Sequence, residues 1–387
     1  MKIAFVSDSI YPYHKGGKEK RLYEISKRLV RLGHEVHIYT MHWWDGPNTS
    51  IVEEGVRLHA ISPLYPMYKG SIRSIKAGLL FGIACFKLIS IPFDVLDVDH
   101  MPYFPVFSAW VVCLLRRKKL YGTWHEALSV SDWTSYMGKG GYIAYLIERL
   151  SIALPAHITA ASEHTKRLLG EYHRRHRNIA VVASGIDVAA LSVIKPTRKS
   201  CDVLYVGRFV KDKNIDVLIR AMVKVAKNNP DVRCTIIGQG IERDRLIQLA
   251  TDLNVQANVT IMPPQPESST IYAYMKRAKV FVLPSVREGF GIVALEALSC
   301  GTPVVTTNST ANAAKDLIVN GVNGTVVNLS TDTLAAAIEP WLSKKKQPEA
   351  IARSVEQYDW QLLAARQSAL YEASAASPAR DVSRNPA

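Results

Sequence analysis

Short apolar runs alternate with amphipathic helical patterns along almost the whole chain. KIAFVS (residues 2–7) has the unbroken apolar character of a buried strand. After a Pro/Gly loop, Leu22, Ile25, Leu29 and Leu32 recur at helical spacing within residues 18–33, and Gly33 supplies the stop. HEVHIYT (34–40) follows as the next strand. Strand, loop, helix and strand in that order make the unit of a parallel sheet with helices on its faces. Similar strands are expected at 93–99, 118–124, 157–162 and 179–184.

The rhythm breaks at Asp187–Ser200, a polar stretch with one proline, and restarts with CDVLYVGR (201–208). Further strands are expected at 232–238, 258–263 and 279–284, with helices around 216–228 and 244–253. At 387 residues the chain is too long for one ordinary core. The pattern predicts an α/β protein of two doubly wound, parallel-sheet, Rossmann-like domains. The expected divisions are a first domain at 1–190, a second at 200–345, C-terminal helices at 346–370 docking back toward the first, and a disordered tail at 371–387.

Composition narrows the class. With 48% hydrophobic and 21% charged residues the chain is an ordinary globular one, and its net charge of +14 favours anionic partners without choosing among them. The basic clusters Arg116–Lys119, Arg174–Arg177 and Lys344–Lys346 read most simply as solvated faces. Five scattered cysteines form no metal-ligand or disulfide framework, which suggests a reducing compartment, and the opening strand carries no signal-peptide pattern. His34/His37 and His173/His176 lack convincing metal-ligand spacing, so no metal is expected. No apolar run reaches the roughly 20 residues that span a bilayer.

Candidate chemistry falls where strands end. SVREGFGIVALEALSCGTPVV (285–305) places Glu296 among Ala294, Leu295, Ala297 and Leu298, where a carboxylate is costly unless it accepts strong hydrogen bonds. Vicinal hydroxyls of a ribose are suitable donors; a solvent-edge helix residue is the plain alternative. The loop Glu288, Gly289, Phe290, Gly291, Ile292 opens that helix, and its free amides suit a phosphate. In VGRFVKDKNID (206–216), Gly207 is followed by Arg208, and Lys213 precedes the helix; the two bases could hold one diphosphate or be ordinary surface bases. Gly238-Gln239-Gly240 is a weaker signal. In the first half, Gly16 and Gly17 permit close approach of backbone to a ligand, and His125 in GTWHEA could hydrogen-bond a sugar or be a satisfied structural histidine.

Together these residues resemble a retaining glycosyltransferase of the large family 4 (glycosyl transferases group 1), with its two-domain GT-B fold. Glu288 and Glu296 match the family's E-x7-E element, followed by ALSCGTPVV; GRFVKDKN matches its phosphate-binding segment; residues 12–40 match its glycine loop and first helix. The resemblance implies two domains facing each other across a cleft and metal-independent transfer from a UDP- or GDP-linked sugar to an acceptor hydroxyl with retention. It implies that Glu296 holds the ribose, Glu288 contacts the transferred sugar, Arg208 and Lys213 neutralise the diphosphate, and His125 lies near the anomeric carbon. No cofactor beyond the nucleotide sugar is implied.

Departures bear on the acceptor. Ser184 stands where the family usually has Asn, and Lys18 and Glu19 stand where many members are apolar. Lys18, with Glu126, Asp132 and Trp133 of WHEALSVSDWTSYMG, is the expected acceptor set, the aromatic loop being as readily a packing element. A sugar and a lipid-linked acceptor both remain open. Residues 68–87, basic at one end and apolar at the other, with Arg116–Lys119, suit either peripheral contact with an anionic membrane at its cytoplasmic face or a core helix with a basic end. The competing classes are a phosphorylase or epimerase of the same architecture, a non-catalytic nucleotide-sugar-binding partner of another transferase, and a nucleic-acid binder. The last has no recognition motif here.

Overall fold

The computed structural model describes residues 1–69, 72–172 and 178–376; Arg174–Arg177, His173/His176 and the tail beyond 376 lie outside them. The chain divides into two units, one made of Met1–Ser184 and the segment from Trp360, the other of Gly185–Asp359. The division falls at SGID, earlier than the expected end at 190. Asp187 there caps the short helix Val188–Ser192, accepting from the Ala190 amide at 2.9 Å.

The first unit is built on strands β1 (Lys2–Val6), β2 (Glu35–Met41), β3 (Ser50–Glu53), β4 (Val56–Ser62), β7 (Val95–Asp99), β8 (Leu120–Trp124), β9 (His157–Ala160) and β10 (Ile179–Val181), with a separate two-stranded ribbon, β5 (Tyr68–Lys69) and β6 (Ile72–Arg73). The sheet order is β10-β9-β8-β7-β1-β2-β4-β3. All pairings are parallel except β3 with β4. The chain winds outward from β1 through β2 to one edge and then crosses to β7 on the other side of β1. The gap between the carboxyl ends of β1 and β7 is therefore the topological switch point, where ligands bind in open α/β sheets. The amphipathic helix Gly17–Arg31 buries Leu22, Ile25 and Leu29 and ends as expected at Gly33, whose φ of +89° suits glycine.

The second unit carries β11 (Val203–Val206), β12 (Cys234–Ile237), β13 (Val259–Met262), β14 (Val280–Leu283), β15 (Val304–Thr307) and β16 (Gly324–Val327), all parallel, in the order β13-β12-β11-β14-β15-β16. Its switch point lies between β11 and β14, the strands that deliver GRFVKDKN and the E-x7-E stretch. Val203, Leu204, Phe281 and Val304 form the middle of its core, with Leu218 and Leu295 from the covering helices.

The C-terminal region departs from expectation. The segment after residue 345 does not move as a block: the helix Pro348–Arg353 stays with the second unit, where Ile351 and Val355 join its core. Only the final helix, Trp360–Ala376, belongs to the first unit. Residues 371–376, expected to be disordered, are its last turns. They are tied down by the Tyr371 hydroxyl, which donates to Asp97 at 2.5 Å. Gln367 on the same helix lies 3.5 Å from Arg21, and Ser368 bonds His34 at 2.7 Å. Among the described residues no helix is long and apolar enough to cross a membrane.

Candidate active site

At the second unit's switch point, Gly207 and Arg208 follow β11 and the 285–291 loop follows β14. Arg208 is exposed, while Lys213, in the single 3-10 turn Lys211–Lys213, is mostly enclosed. Lys213 Nζ lies 2.9 Å from Glu288 Oε1 and 3.1 Å from the Arg287 carbonyl. The pair keeps a base and an acid of the expected site side by side. Glu288 is itself fixed through its backbone, its amide donating to Ala311 and its carbonyl accepting from Ala313. The loop that does this is held by the buried Asn312, whose side chain bonds Thr306, Thr307 and the Ala314 amide. Sequence reasoning missed Asn312; a lone Asn in a Ser/Thr/Asn run gives no signal.

Gly291, in the left-handed region at φ +84°, is the N-cap of the helix Ile292–Ser299. A Cβ there would come within 2.4 Å of the Ala314 Cβ, so glycine is needed for space as well as for φ. Gly289, Phe290 and Ile292 flank it, and the first amides of the helix have no acceptor within it. The positive end of the helix thus faces the rim on which Lys213 and Arg208 lie. Within that helix Ala294, Leu295, Ala297 and Leu298 are buried, and Glu296 is half-buried, its Oε1 accepting from the Tyr272 hydroxyl at 3.0 Å. Tyr272 was not foreseen. The Gly238/Gly240 pair is structural: a Cβ on Gly238 would fall 1.9 Å from the Gly207 carbonyl and one on Gly240 2.2 Å from that of Phe209. These glycines let the loop after β12 lie directly against the one carrying Arg208.

The first unit's switch point holds a buried charge network. Asp8, just past β1, receives Lys18 Nζ at 2.8 Å and an Arg73 NH2 group at 2.8 Å. Burial alone would raise the Asp8 carboxyl, but Lys18 and Arg73 outweigh it and hold the group below the usual range. At the end of β7, Asp99 lies 3.7 Å from Lys18 and 3.0 Å from His125 Nε2. Burial again opposes ionisation of Asp99, and Lys18 with the His125 hydrogen bond holds it low. An ionised Asp99 can only accept, so Nε2 of His125 is the donor in this pair, which leaves Nδ1 as the ring nitrogen turned away from Asp99. Asp99 is the partner that sequence reasoning missed, although DVLDVDH places acids in a buried strand. Gly16 adjoins the same rim as the N-cap of its helix, where a Cβ would meet the buried Glu19 carboxylate at 2.3 Å; Gly17 is open.

Lys18, Asp132 and Trp133, three of the residues expected at the acceptor, have partners within the first unit. Trp133 is buried, its Nε1 donating to Glu148 at 2.6 Å, and it packs with Tyr103 and Leu128. Asp132 completes the capping box of the helix Val130–Met137 with Ser129. The Trp133 indole nitrogen and one Asp132 carboxylate oxygen are thus engaged inside their own domain. Lys18 is committed to Asp8, and Arg73, at the basic end of residues 68–87, is committed there as well. Glu126, two residues past the end of β8, is half-buried, as are Lys18 and Asp132. Among the described residues no group of three or more His, Cys, Asp or Glu could hold a metal ion.

Residues 15–190 match the model of Glycosyltransferase Family 4, and residues 193–358 that of Glycosyl transferases group 1. A glycogen synthase of Mycobacterium tuberculosis is 30% identical over 201 residues, 50% of this chain and 48% of the relative; the match thus spans about half that relative's length. Among solved structures, the sucrose-phosphate synthase of Thermosynechococcus elongatus superposes with a TM-score of 0.78 at 20% identity, over 97% of this chain and 100% of that one. The Anabaena protein HepE in complex with UDP-glucose does so with 0.70 at 18%, over 96% and 100%. At such identities the two structures establish the fold, which is GT-B. With its two halves matching two successive family models and its two parallel-sheet units matching that architecture, the chain belongs to the family 4, group 1 glycosyltransferases.

Proposed function

We propose that the protein transfers a hexose-type sugar from a UDP- or GDP-linked donor to an acceptor hydroxyl, with retention and without a metal, in the assembly of a polysaccharide, glycan or glycolipid. The observation that carries this reading is the grouping of Arg208, Lys213, Glu288 and the 292–299 helix N-terminus around one switch point. Two cations and a helix dipole supply the positive charge that a departing diphosphate requires, the role a divalent ion plays elsewhere. Glu296, on the second turn of that helix, accepts from the ribose hydroxyls as it now accepts from Tyr272. Glu288 contacts the transferred sugar. The ligand of HepE supports a nucleotide-sugar donor as the class.

In the reaction the bond between the anomeric carbon and the diphosphate oxygen breaks, and the acceptor oxygen bonds the same face of that carbon. The acceptor proton passes to the leaving phosphate oxygen. No protein nucleophile is assigned. His125, held by Asp99, presents Nδ1 to a sugar hydroxyl. The five cysteines, all free and buried, fit a reducing cytoplasmic setting.

The test is release of nucleoside diphosphate from a panel of UDP- and GDP-sugars, with and without sugar and detergent-solubilised lipid acceptors, comparing wild type with Glu296→Gln. Acceptor-dependent release from one donor, at least tenfold weaker in the variant, is expected. Tight donor binding with no turnover on any acceptor would point instead to a non-catalytic nucleotide-sugar-binding partner.

A further inference from the structure

The helices on one side of the first unit's sheet have outward faces of unexpected composition. A helix covering a sheet normally buries one apolar stripe and offers water a charged one. In the helix Ile75–Ala84 and the 3-10 turn that continues it, Ile75, Leu79, Ile83 and Phe86 are 53%, 43%, 63% and 43% exposed, at spacings of four, four and three. That spacing is one helical face. The opposite face, with Gly78, Phe81 and Gly82, is buried, and the two glycines lie against Phe104, the first residue of the next helix, with Pro102 just before it also touching Gly78.

The helix Phe104–Leu115 repeats the arrangement. Val106, Ala109 and Val112 are buried, while Trp110, Leu114 and Leu115 are exposed. The helix Gly141–Ile152 does so a third time, with Tyr142, Ile143, Leu146 and Leu150 all more than half exposed. Phe107 of the second helix and Ala144, Tyr145 and Ile147 of the third belong to one cluster around Trp133, so these helices are neighbours. Single exposed apolar residues need no explanation; three adjacent helices with apolar outer faces do.

Charge identifies what covers them. Across residues 75–90, 104–118 and 138–152 the sole acid is Glu148, which is fully buried. Lys76, Arg117, Lys118 and Lys139 in the same segments are exposed, while the Lys87 ammonium donates to the Ile61 carbonyl at 2.8 Å. A protein partner of mixed charge would be met by mixed charge. Apolar side chains rimmed by cations alone, on helices too short to span, match the interface of an anionic bilayer.

We infer that this face of the first unit docks on an anionic lipid surface, inserting the outward side chains of the three helices among the acyl chains while Lys76, Arg117, Lys118 and Lys139 meet the headgroups. The face acts without the donor site, so its occupancy is independent of the transferase reading. It assigns the membrane contact to residues other than Arg73, whose guanidinium is turned inward to Asp8.

The experiment is co-sedimentation of the full chain, without any donor, with vesicles of phosphatidylcholine alone and with 30 mol % phosphatidylglycerol, about 0.1 M salt being the reference condition. Binding to the anionic vesicles is expected to exceed that to neutral ones at least tenfold and to weaken at higher salt. Leu79→Glu with Ile83→Glu, and separately Ile143→Glu with Leu146→Glu, should each reduce it at least tenfold. Since all four positions are exposed, the circular dichroism and melting temperature of both variants should match wild type. Equal recovery with both vesicle types, or unaltered binding by both folded variants, would overturn the proposal. So would a wild-type dimer in sedimentation that the same substitutions dissolve while vesicle binding persists, since a second copy would then cover the face.

Discussion

Single side chains separate the chemical from the structural most sharply around Asp99 and Trp133. Asp99 sets the imidazole of His125 through one 3.0 Å hydrogen bond, so Asp99→Asn removes the ionised acceptor that fixes the ring tautomer. The expected result is a fall in kcat of about tenfold to a hundredfold with the donor dissociation constant unchanged, since Asp99 is a positioning residue that acts through His125. An unchanged kcat in steady-state assays would refute this role. Trp133→Phe should behave oppositely. It leaves the buried Glu148 without its indole donor, at a cost of about 1–3 kcal/mol, read as a lowered melting temperature, while the acceptor KM stays as in wild type. An acceptor KM raised several-fold in a variant that melts like wild type would restore Trp133 to the acceptor pocket. The two cases show what was legible at this scale. Glu288, Glu296, Arg208 and Lys213 sit in a motif with fixed spacing, whereas Asp99, Asn312 and Tyr272 act through tertiary contacts made between distant segments. Trp133 and Asp132 have the residue types of a sugar site, and only tertiary structure pairs the one with the buried Glu148 while the other caps a helix with Ser129.

Elements follow the same division. Parallel strands buried on both faces, such as β1, β11 and β14, are continuous apolar runs and were readable from sequence with their helices. The hairpin of β3 and β4 at the sheet edge and the short ribbon were not: β3 and the ribbon strands are brief and partly exposed, and β4, seven residues long, mixes Arg57 and His59 with its apolar positions. The final helix was foreseen, but not its length, since its last turns are held by pairing with β7 and not by a strong apolar stripe of their own. That pairing has a pH signature. Burial pushes the Asp97 carboxyl up to about 6 against 3.8 in an unfolded chain, even with Tyr371, Thr123 and Arg21 favouring its charged form. The folded state therefore binds this proton more tightly than the unfolded one. Stability from the group is complete below pH 4 and is lost as pH rises through about 6, by on the order of 3 kcal/mol. Chemical denaturation of wild type and Asp97→Asn at pH 4, 6 and 8 should show their difference changing across that interval, with the variant gaining on wild type as pH rises. Parallel pH profiles would mean that Asp97 titrates as it does in the unfolded chain.

For the whole molecule, the arrangement is two sheets, each with its own switch point and a different chemistry there. The second unit's rim carries the cations and the helix terminus, and the first unit's rim carries His125 behind a neutralised network of Asp8, Lys18, Arg73 and Asp99. Diphosphate recognition should consequently be separable from events at His125. Calorimetric titration with UDP and GDP should show one nucleotide binding to His125→Ala as it does to wild type, and at least tenfold more weakly to Lys213→Ala, with EDTA leaving all three affinities unchanged. The ion pair of Lys213 with Glu288 makes a control necessary, because removing the lysine also leaves a half-buried carboxylate beside the phosphate position. Glu288→Gln resolves this: it removes that negative charge while keeping Lys213, so it should bind the diphosphate at least as tightly as wild type yet turn over slowly if Glu288 contacts the sugar. Loss of diphosphate binding in His125→Ala, or dependence of wild-type binding on a divalent ion, would show that the charge needed at the leaving group is not supplied by the second unit alone.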